Sequence, residues 1–162
     1  MTQEFNGKQI RAKFPFLSRE VNEKPIIYLD SAASSQKPQQ VLDKLLTTYS
    51  HGYANIHRGL HTLSEEATDA YEEVRSKIAR FINAADKDEV IFTSGATMSL
   101  NLIANCYGLQ NLKSGDEILI TVAEHHANII PWQMLCQKTG AKIVAVPVDD
   151  DGCFNITELK DR

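Results

Sequence analysis

The sequence predicts an α/β fold in which a largely parallel sheet is flanked by helices. Short apolar runs alternate with longer segments in which apolar residues recur every three or four positions, a pattern typical of strands joined by crossover helices. Glycines also follow two of the helical segments, where helices commonly end. The expected strands are residues 26–29, 90–93, 118–121 and 143–148.

Residues 1–25 are expected to form a peripheral helix and a linker. They contain one short amphipathic stretch, Ile10 to Phe16, and end at Pro25. The length of the remaining chain, residues 26–162, allows one ordinary domain or a piece of a larger one. Its first helix is expected to begin at Pro38, because proline suits the first helical position, and to carry an apolar stripe. The members of that stripe are Val41, Leu45 and Tyr49.

The clearest helix is expected after an irregular loop at residues 51–61. Thr62 and Glu65 have the spacing of a capping box, a pair of side chains that satisfies backbone N–H groups at a helix start. Apolar residues then recur at steps of three or four, which predicts one apolar face. They are Leu63, Ala67, Ala70, Val74, Ile78 and Phe81.

The second half is expected to contain helices at residues 97–107 and 127–139. Gly108 and Gly140 stand where each should end. Residues 157–162 read as the first turns of another helix, with no terminal capping signal after them. We therefore expect a truncated chain.

The composition argues against a nucleic-acid-binding protein and against a membrane protein. The 162 residues are 43% hydrophobic and 23% charged, with a net charge of −4 and no basic stripe, so nucleic acid is not an expected partner. No apolar run approaches the roughly 20 residues that span a bilayer, and the N-terminus lacks the apolar core of an export signal. We expect a cytoplasmic protein that does not bind membranes.

The three cysteines predict neither a disulfide framework nor a zinc site. They are widely spaced, odd in number and without a Cys-x-x-Cys pair. Cys106 and Cys136 lie in apolar helical patterns, so buried, inert thiols are expected there.

Residues 89–101 predict an anion site. A short apolar strand runs through a small-residue turn into a helix, whose first N–H groups lack intrahelical partners. Gly95 and Ala96 allow a phosphate to approach the backbone, and Thr97 adds a hydroxyl.

Histidines form two further clusters. His125 and His126 follow the strand at 118–121, where a ring can stack on a flat cofactor or move a proton, or can merely cap the next helix. In the loop at 51–61, His57 and His61 have the spacing of a zinc helix. Arg58 replaces the general base of that motif, so no metal site is expected.

Together these segments resemble the class V aminotransferase family of pyridoxal phosphate (PLP) enzymes, and within it the SufS-type cysteine desulfurases. The resemblance rests on three stretches and extends from about residue 10 to the last residue. They are Leu29-Asp30-Ser31-Ala32-Ala33 with Gln36-Lys37-Pro38, the run from His51 to Gly59, and Glu124-His125-His126-Ala127-Asn128 with Pro131-Trp132-Gln133.

The resemblance implies that residues 26–162 are the N-terminal part of a fold type I PLP-binding large domain, which is incomplete here, and it implies a role for each cluster. Ala96 and Thr97 are expected to bind the PLP phosphate. His125 is expected to stack on the cofactor ring and assist proton transfer. Ala33 and His57 are expected near the amino-acid substrate. The implied reaction converts L-cysteine to L-alanine and leaves the sulfur as an enzyme persulfide, for transfer to an acceptor protein in iron-sulfur cluster assembly, within a homodimer.

The resemblance also implies that essential groups are missing. None of the eleven lysines follows the Ser-x-His motif of the family's Schiff-base lysine, and no cysteine matches the persulfide position. In the family fold, later strands lie between residues 90–93 and the other two strands. The 162-residue chain is therefore expected to be inactive alone, with unpaired strand edges and exposed apolar faces.

Two alternatives stay open at this point. One is another class V enzyme, such as a selenocysteine lyase, an epimerase or a kynureninase-like enzyme. The other is a noncatalytic α/β module that binds phosphate or a protein.

Overall fold

A computed structural model describes residues 6–154 of the chain. The chain divides into two units, Met1–Val90 and Ile91–Arg162. The helix expected at 157–162 lies outside the described residues. No helix within the described part of the chain is both long and apolar enough to cross a membrane.

The N-terminal unit begins with small elements held by side-chain contacts. The Asn6 side chain accepts the N–H of Gln9 and caps the first helix. Asn22 and Glu23 both have positive φ, as the tight turn of a two-residue hairpin requires. These elements are α1 (Gly7–Arg11), a 3-10 turn (Pro15–Ser18), and an antiparallel pair of strands, β1 (Glu20–Val21) and β2 (Lys24–Pro25).

The expected strand at 26–29 is absent from the described residues. Ile27 and Leu29 are 82% and 90% exposed. A strand needs a hydrogen-bonded partner, and the described part of the chain offers residues 27–29 none. The apolar run alone was therefore a misleading signal.

Two longer helices complete the N-terminal unit, followed by a 3-10 turn at Lys87–Glu89. The helix α2 (Gln39–His51) begins one residue later than expected, because Pro38 is its extended N-cap. Its expected apolar stripe is exposed: Val41, Leu45 and Tyr49 border an open groove of about 430 Å³.

The long helix α3 (Thr62–Phe81) forms as expected, but it starts differently. The cap is the His61 ring, which accepts the Ser64 N–H at 3.3 Å, so the capping box of Thr62 and Glu65 is wrong. Its apolar face is also largely uncovered, with Phe81 86% exposed. The two buried residues of α3 are Ser64, which is fully buried, and Ala79, and neither belongs to the expected apolar face.

The C-terminal unit contains a parallel pair of strands, as expected. The strands β3 (Glu117–Thr121) and β4 (Lys142–Val146) pair in register from Glu117 opposite Lys142 to Thr121 opposite Val146. Val146 is fully buried. The helix α6 (Ile130–Thr139) connects them after a 3-10 turn at His126–Asn128, and Gly140 ends it with φ of 78°.

The helix before β3 runs further than expected. The helix α4 (Ala96–Ile103) continues as a π-helical stretch (Ala104–Gly108) and then as α5 (Leu109–Asn111). Gly108 has helical φ and ψ and does not end it. A Cβ at Gly108 would lie 2.4 Å from Leu135 Cδ2, so this glycine is needed for close packing against α6.

Two other expectations for the C-terminal half are wrong. Residues 90–93 are not paired as a strand among the described residues, for the same lack of a partner as at 26–29. Cys106 is exposed rather than buried, whereas Ala104 and Gly108 are the buried residues of the π-helical stretch. Cys136 is half-buried as an apolar setting requires, and burial raises the pKa of its thiol.

Candidate functional site

The turn before α4 leaves its helix N-terminus open. Gly95 has φ of 153° and ψ of 176°, a conformation that is essentially restricted to glycine, and nothing lies within 4 Å of its missing Cβ. The Thr93 hydroxyl braces the turn: it accepts the Gly95 N–H at 3.3 Å and lies 2.7 Å from the Ser99 hydroxyl. Glycine adopts this conformation at no steric cost and leaves the turn before the helix without a side chain at this position.

The N–H groups of Ala96 and Thr97 are available to a ligand. They belong to the first turn of α4, and within residues 6–154 neither has a hydrogen-bond acceptor. The helix dipole adds positive potential at this end. Both residues predicted to hold a phosphate thus occupy a position that suits an anion.

The His125 ring is held by its own backbone. Its Nδ1 accepts the Ala127 N–H at 3.1 Å, which starts the 3-10 turn. Because Nδ1 supplies the lone pair, the neutral ring carries its proton on Nε2. His125 therefore does cap the next element, through Nδ1. Its Nε2 takes no part in the cap and is left for other contacts.

The two halves of this site lie on contacting elements. The helix α4 packs against the turn at His126–Asn128. The fold of the C-terminal unit therefore places the helix that begins at Ala96 and Thr97 against the turn that follows His125.

A polar chain fixes the segment that carries His125. The Thr121 hydroxyl and the Asn128 amide donate to the two Glu124 carboxylate oxygens at 2.8 and 2.9 Å, and Trp132 Nε1 donates to Asn128 Oδ1 at 2.9 Å. The hydrogen bonds from Asn128 and Thr121 lower the pKa of Glu124. These side chains line an open cleft of about 340 Å³ beside β3. The motif at 124–128 pointed to this region, but the sequence analysis missed the network.

In the N-terminal unit, the loop at 52–61 is fastened to α3. His57 has φ of 69°, and its backbone N–H donates to Thr68 Oγ1 at 2.9 Å. The buried Ser64 hydroxyl donates to the Asn55 carbonyl at 2.7 Å. A Cβ at Gly59 would lie 2.0 Å from Ser64 Oγ, so only glycine allows the loop this close to the helix.

Glu72 holds the ring of His57. Its Oε1 lies 3.0 Å from His57 Nε2, and its Oε2 lies 3.3 Å from Arg75 Nε and 3.4 Å from Lys87 Nζ. The His57 hydrogen bond, together with Lys87 and Arg75, lowers the pKa of this carboxyl group. The ring edge of His57 also meets Tyr71 at a centroid distance of 5.6 Å.

Sequence analysis missed Glu72, although a signal was present. Ser64, Thr68, Glu72 and Ser76 recur at steps of four, which places a polar stripe along α3. A hydroxyl stripe on a long helix indicates an attached loop. Ala33, the other expected substrate contact, lies exposed in the turn after Asp30, where the Ser34 N–H donates to the Asp30 carbonyl. Ala33 and His57 belong to the N-terminal unit, and the other three site residues to the C-terminal unit.

The family assignment follows from comparison with known proteins. The model of the family "Aminotransferase class-V" matches residues 27–162. The chain belongs to this family. It is 50% identical over 155 residues to a cysteine desulfurase of Salmonella newport (strain SL254), an alignment that covers 96% of this chain and 38% of that protein.

Comparison with solved structures supports the same family. The apo cysteine desulfurase of Thermococcus onnurineus NA1 matches with a TM-score of 0.86 and 37% identity over 99% of this chain. The cysteine desulfurase CsdA (S-sulfonic acid) of Escherichia coli matches with a TM-score of 0.80 and 39% identity over 98% of it. The chain covers 38% and 39% of those two structures. Its fold is therefore the α/β fold of PLP-dependent enzymes, of which it contains part of the sheet.

Proposed function

We propose that this chain is the N-terminal part of a PLP-dependent cysteine desulfurase of the SufS type. The enzyme converts L-cysteine to L-alanine and passes the sulfur, as a persulfide, to an acceptor protein for iron-sulfur cluster assembly. It acts in the cytoplasm as a homodimer. Residues 26–162 belong to its PLP-binding domain, and residues 1–25 are an N-terminal helix and linker.

The observation that carries this proposal is that α4 contacts the turn that follows His125. The first turn of α4 carries two N–H groups without an acceptor among the described residues, and the contacting turn follows an imidazole. A phosphate and a flat ring need those two kinds of contact in one place. The 50% identity to a cysteine desulfurase supports the choice of activity within the family.

The residues present fit the phosphate end of PLP. The Ala96 and Thr97 amides and the Thr97 hydroxyl are donors, and a dianionic phosphate is an acceptor. Gly95 carries no side chain, and nothing lies within 4 Å of its Cβ position. When bound, PLP supplies an electron sink for the negative charge that forms at the Cα of an amino acid.

His125 serves the same reaction from the protein side. Its backbone-held Nδ1 keeps the ring in one orientation, so that a ring face is available for stacking. Its Nε2–H is left to donate a hydrogen bond to a group beside the cofactor, and in this proposal His125 assists proton transfer there. Ala33 and His57 contact the amino-acid substrate in this proposal.

The 162-residue chain on its own is proposed to be inactive. The family resemblance assigns the cofactor-binding lysine and the persulfide cysteine to sequence that this chain does not contain. Incubation with PLP and L-cysteine should therefore release no alanine above a protein-free control. Alanine release that depends on the chain would contradict this part of the proposal.

Binding of PLP without turnover is the direct test of the site. We expect the chain to bind PLP more tightly than inorganic phosphate in a titration followed by the fluorescence of Trp132, because only PLP also contacts the His125 ring. Thr97→Val should weaken PLP binding about 3- to 10-fold through loss of one hydrogen bond.

Ser94→Ala is the matched control. It removes a hydroxyl from the same turn, but that hydroxyl is directed at Met98 Sδ at 3.3 Å. Its PLP affinity should stay within twofold of the unmodified chain. Equal affinities for PLP and phosphate would instead favour a noncatalytic anion-binding module.

A further inference from the structure

The two site histidines are held by opposite ring nitrogens. In His125 the backbone occupies Nδ1, at 3.1 Å from the Ala127 nitrogen. In His57 the Glu72 carboxylate occupies Nε2, at 3.0 Å. Within residues 6–154, His57 Nδ1 has no hydrogen-bond partner.

The proton on the His57 ring can be assigned from its partner. A lowered pKa keeps Glu72 ionised at neutral pH, and an ionised carboxylate can only accept hydrogen bonds. His57 Nε2 must therefore carry hydrogen, which leaves the lone pair of the neutral ring on Nδ1. The neutral His125 ring has the same tautomer, but its free atom is the protonated Nε2.

The contacts around His57 leave little freedom for its ring. Its N–H is bound by Thr68, its Nε2 by Glu72 and its ring edge by Tyr71. The charged groups on the packed elements are Glu72 and Arg75 of α3 and Lys87 of the following 3-10 turn, and both cations contact the Glu72 carboxylate. Those cations fix the carboxylate, which in turn fixes the ring.

We propose that Glu72 is a positioning residue that holds His57 by Nε2 and leaves Nδ1 as a proton acceptor. The matching ligand group is a donor of the kind an amino-acid substrate carries, a thiol or an ammonium. When such a group transfers its proton, the Nδ1 lone pair forms the new N–H bond. The electrons of the broken bond stay on the donor atom, and the carboxylate balances the charge of the imidazolium.

This division gives the two histidines different tasks. His57 presents a lone pair, and His125 presents an N–H. Only the identity of the ligand rests on the proposed function. The assignment of the ring atoms does not depend on PLP binding, so it can be tested separately.

The test is the site of alkylation on each ring. The cysteines are first blocked with N-ethylmaleimide, and the chain is treated with iodoacetamide at pH 8, where an ordinary histidine is neutral. Peptides are then separated, and the Nδ1 and Nε2 isomers of the alkylated histidines are quantified. We expect at least about 80% of the His57 adduct on Nδ1, and a His125 reaction at least about threefold slower, because its lone pair is engaged.

Variants test the role of the carboxylate. Glu72→Gln should reduce the Nδ1 share of the His57 adduct at least about twofold. Glu73→Gln should leave that share unchanged, because Glu73 pairs only with Lys77 on the exposed side of α3 among the described contacts.

Adduct formation mainly on Nε2 of His57 in the unmodified chain would overturn the proposal, and so would an unchanged isomer ratio in Glu72→Gln. Adduct formation on Nε2 is measured in the unmodified chain, so the proposal can be overturned even if the Glu72→Gln variant fails to fold. Failure to bind PLP would instead count against the proposed function alone.

Discussion

The loop at 52–61 and the turn at 122–128 are built from contacts of different range. The loop is fastened to α3 by hydrogen bonds that span 9 to 15 residues, from Ser64 to Asn55 and from His57 to Thr68 and Glu72. The side-chain bonds of the turn span 2 to 4 residues, among Thr121, Glu124, His125 and Asn128, and one backbone bond joins its Val122 N–H to the Val146 carbonyl of β4. The loop therefore depends on tertiary packing, whereas the side-chain network of the turn depends on its own sequence.

Gly59→Ala should have the largest effect on the contacts that hold the loop against α3. The added Cβ would lie 2.0 Å from the hydroxyl of the fully buried Ser64, so the loop must move off α3. We expect a loss of about 3 kcal/mol of local stability. Hydrogen exchange of the α3 amides measures this change without assuming that both units unfold together.

Gly52→Ala is the control for that substitution. Nothing lies within 4 Å of the Cβ position at Gly52. Exchange rates in α3 should change less than threefold. A Gly59→Ala chain with unchanged α3 exchange would mean that the loop does not pack on the helix.

A smaller effect is expected from Thr68→Val, which keeps the side-chain shape. It removes the acceptor of the His57 N–H and the donor to the Ser64 carbonyl. The expected loss is about 1–2 kcal/mol, seen in exchange of the first α3 amides and of His57. Thr62→Val changes an exposed residue of the same helix and should leave those rates nearly unchanged. Exchange in the turn at 122–128 should not respond to either variant.

The smallest effect is a dependence on pH. Glu72 has a folded pKa below its usual 4.5, so its stabilising effect is present above that value and is lost as pH falls through the folded pKa. The protection of the α3 amides, measured relative to the intrinsic exchange rate at each pH, should fall as the solution is acidified below pH 4.5, and Glu72→Gln should flatten that response. Hydrogen bonds from Asn128 and Thr121 lower the pKa of Glu124 likewise, so Glu124→Gln should flatten only the response of the turn. Equal responses in both regions to either variant would contradict the independence of the two networks.

Much of the fold was predictable where local signals decide it. The helices α3 and α6, the end of α6 at Gly140 and the parallel strands β3 and β4 follow from periodicity and turn residues. Strands at 26–29 and 90–93 were not predictable from their apolar runs, because a strand exists only when a partner pairs with it.

The candidate site also contains residues that a local pattern predicts and residues that only the folded chain brings together. The open amides at Ala96 and Thr97 follow from a glycine turn at a helix start, which is a local pattern. Glu72 contacts His57 across fifteen residues, so no spacing rule connects them. The apolar stripe of α3 predicted the wrong packed face. The side of α3 that packs against the loop is the polar stripe that begins at the buried Ser64.

The π-helical stretch at Ala104–Gly108 sets the rotation of α5 about the helix axis relative to α4. An α-helix turns by about 100° per residue, so the loss of one residue from a widened turn rotates the downstream segment by about that angle. α5 and the approach to β3 would then leave the helix in a new direction. Deletions at 104–107 should therefore disturb β3 far more than substitutions there, because a deletion changes the direction of the helix and a substitution does not.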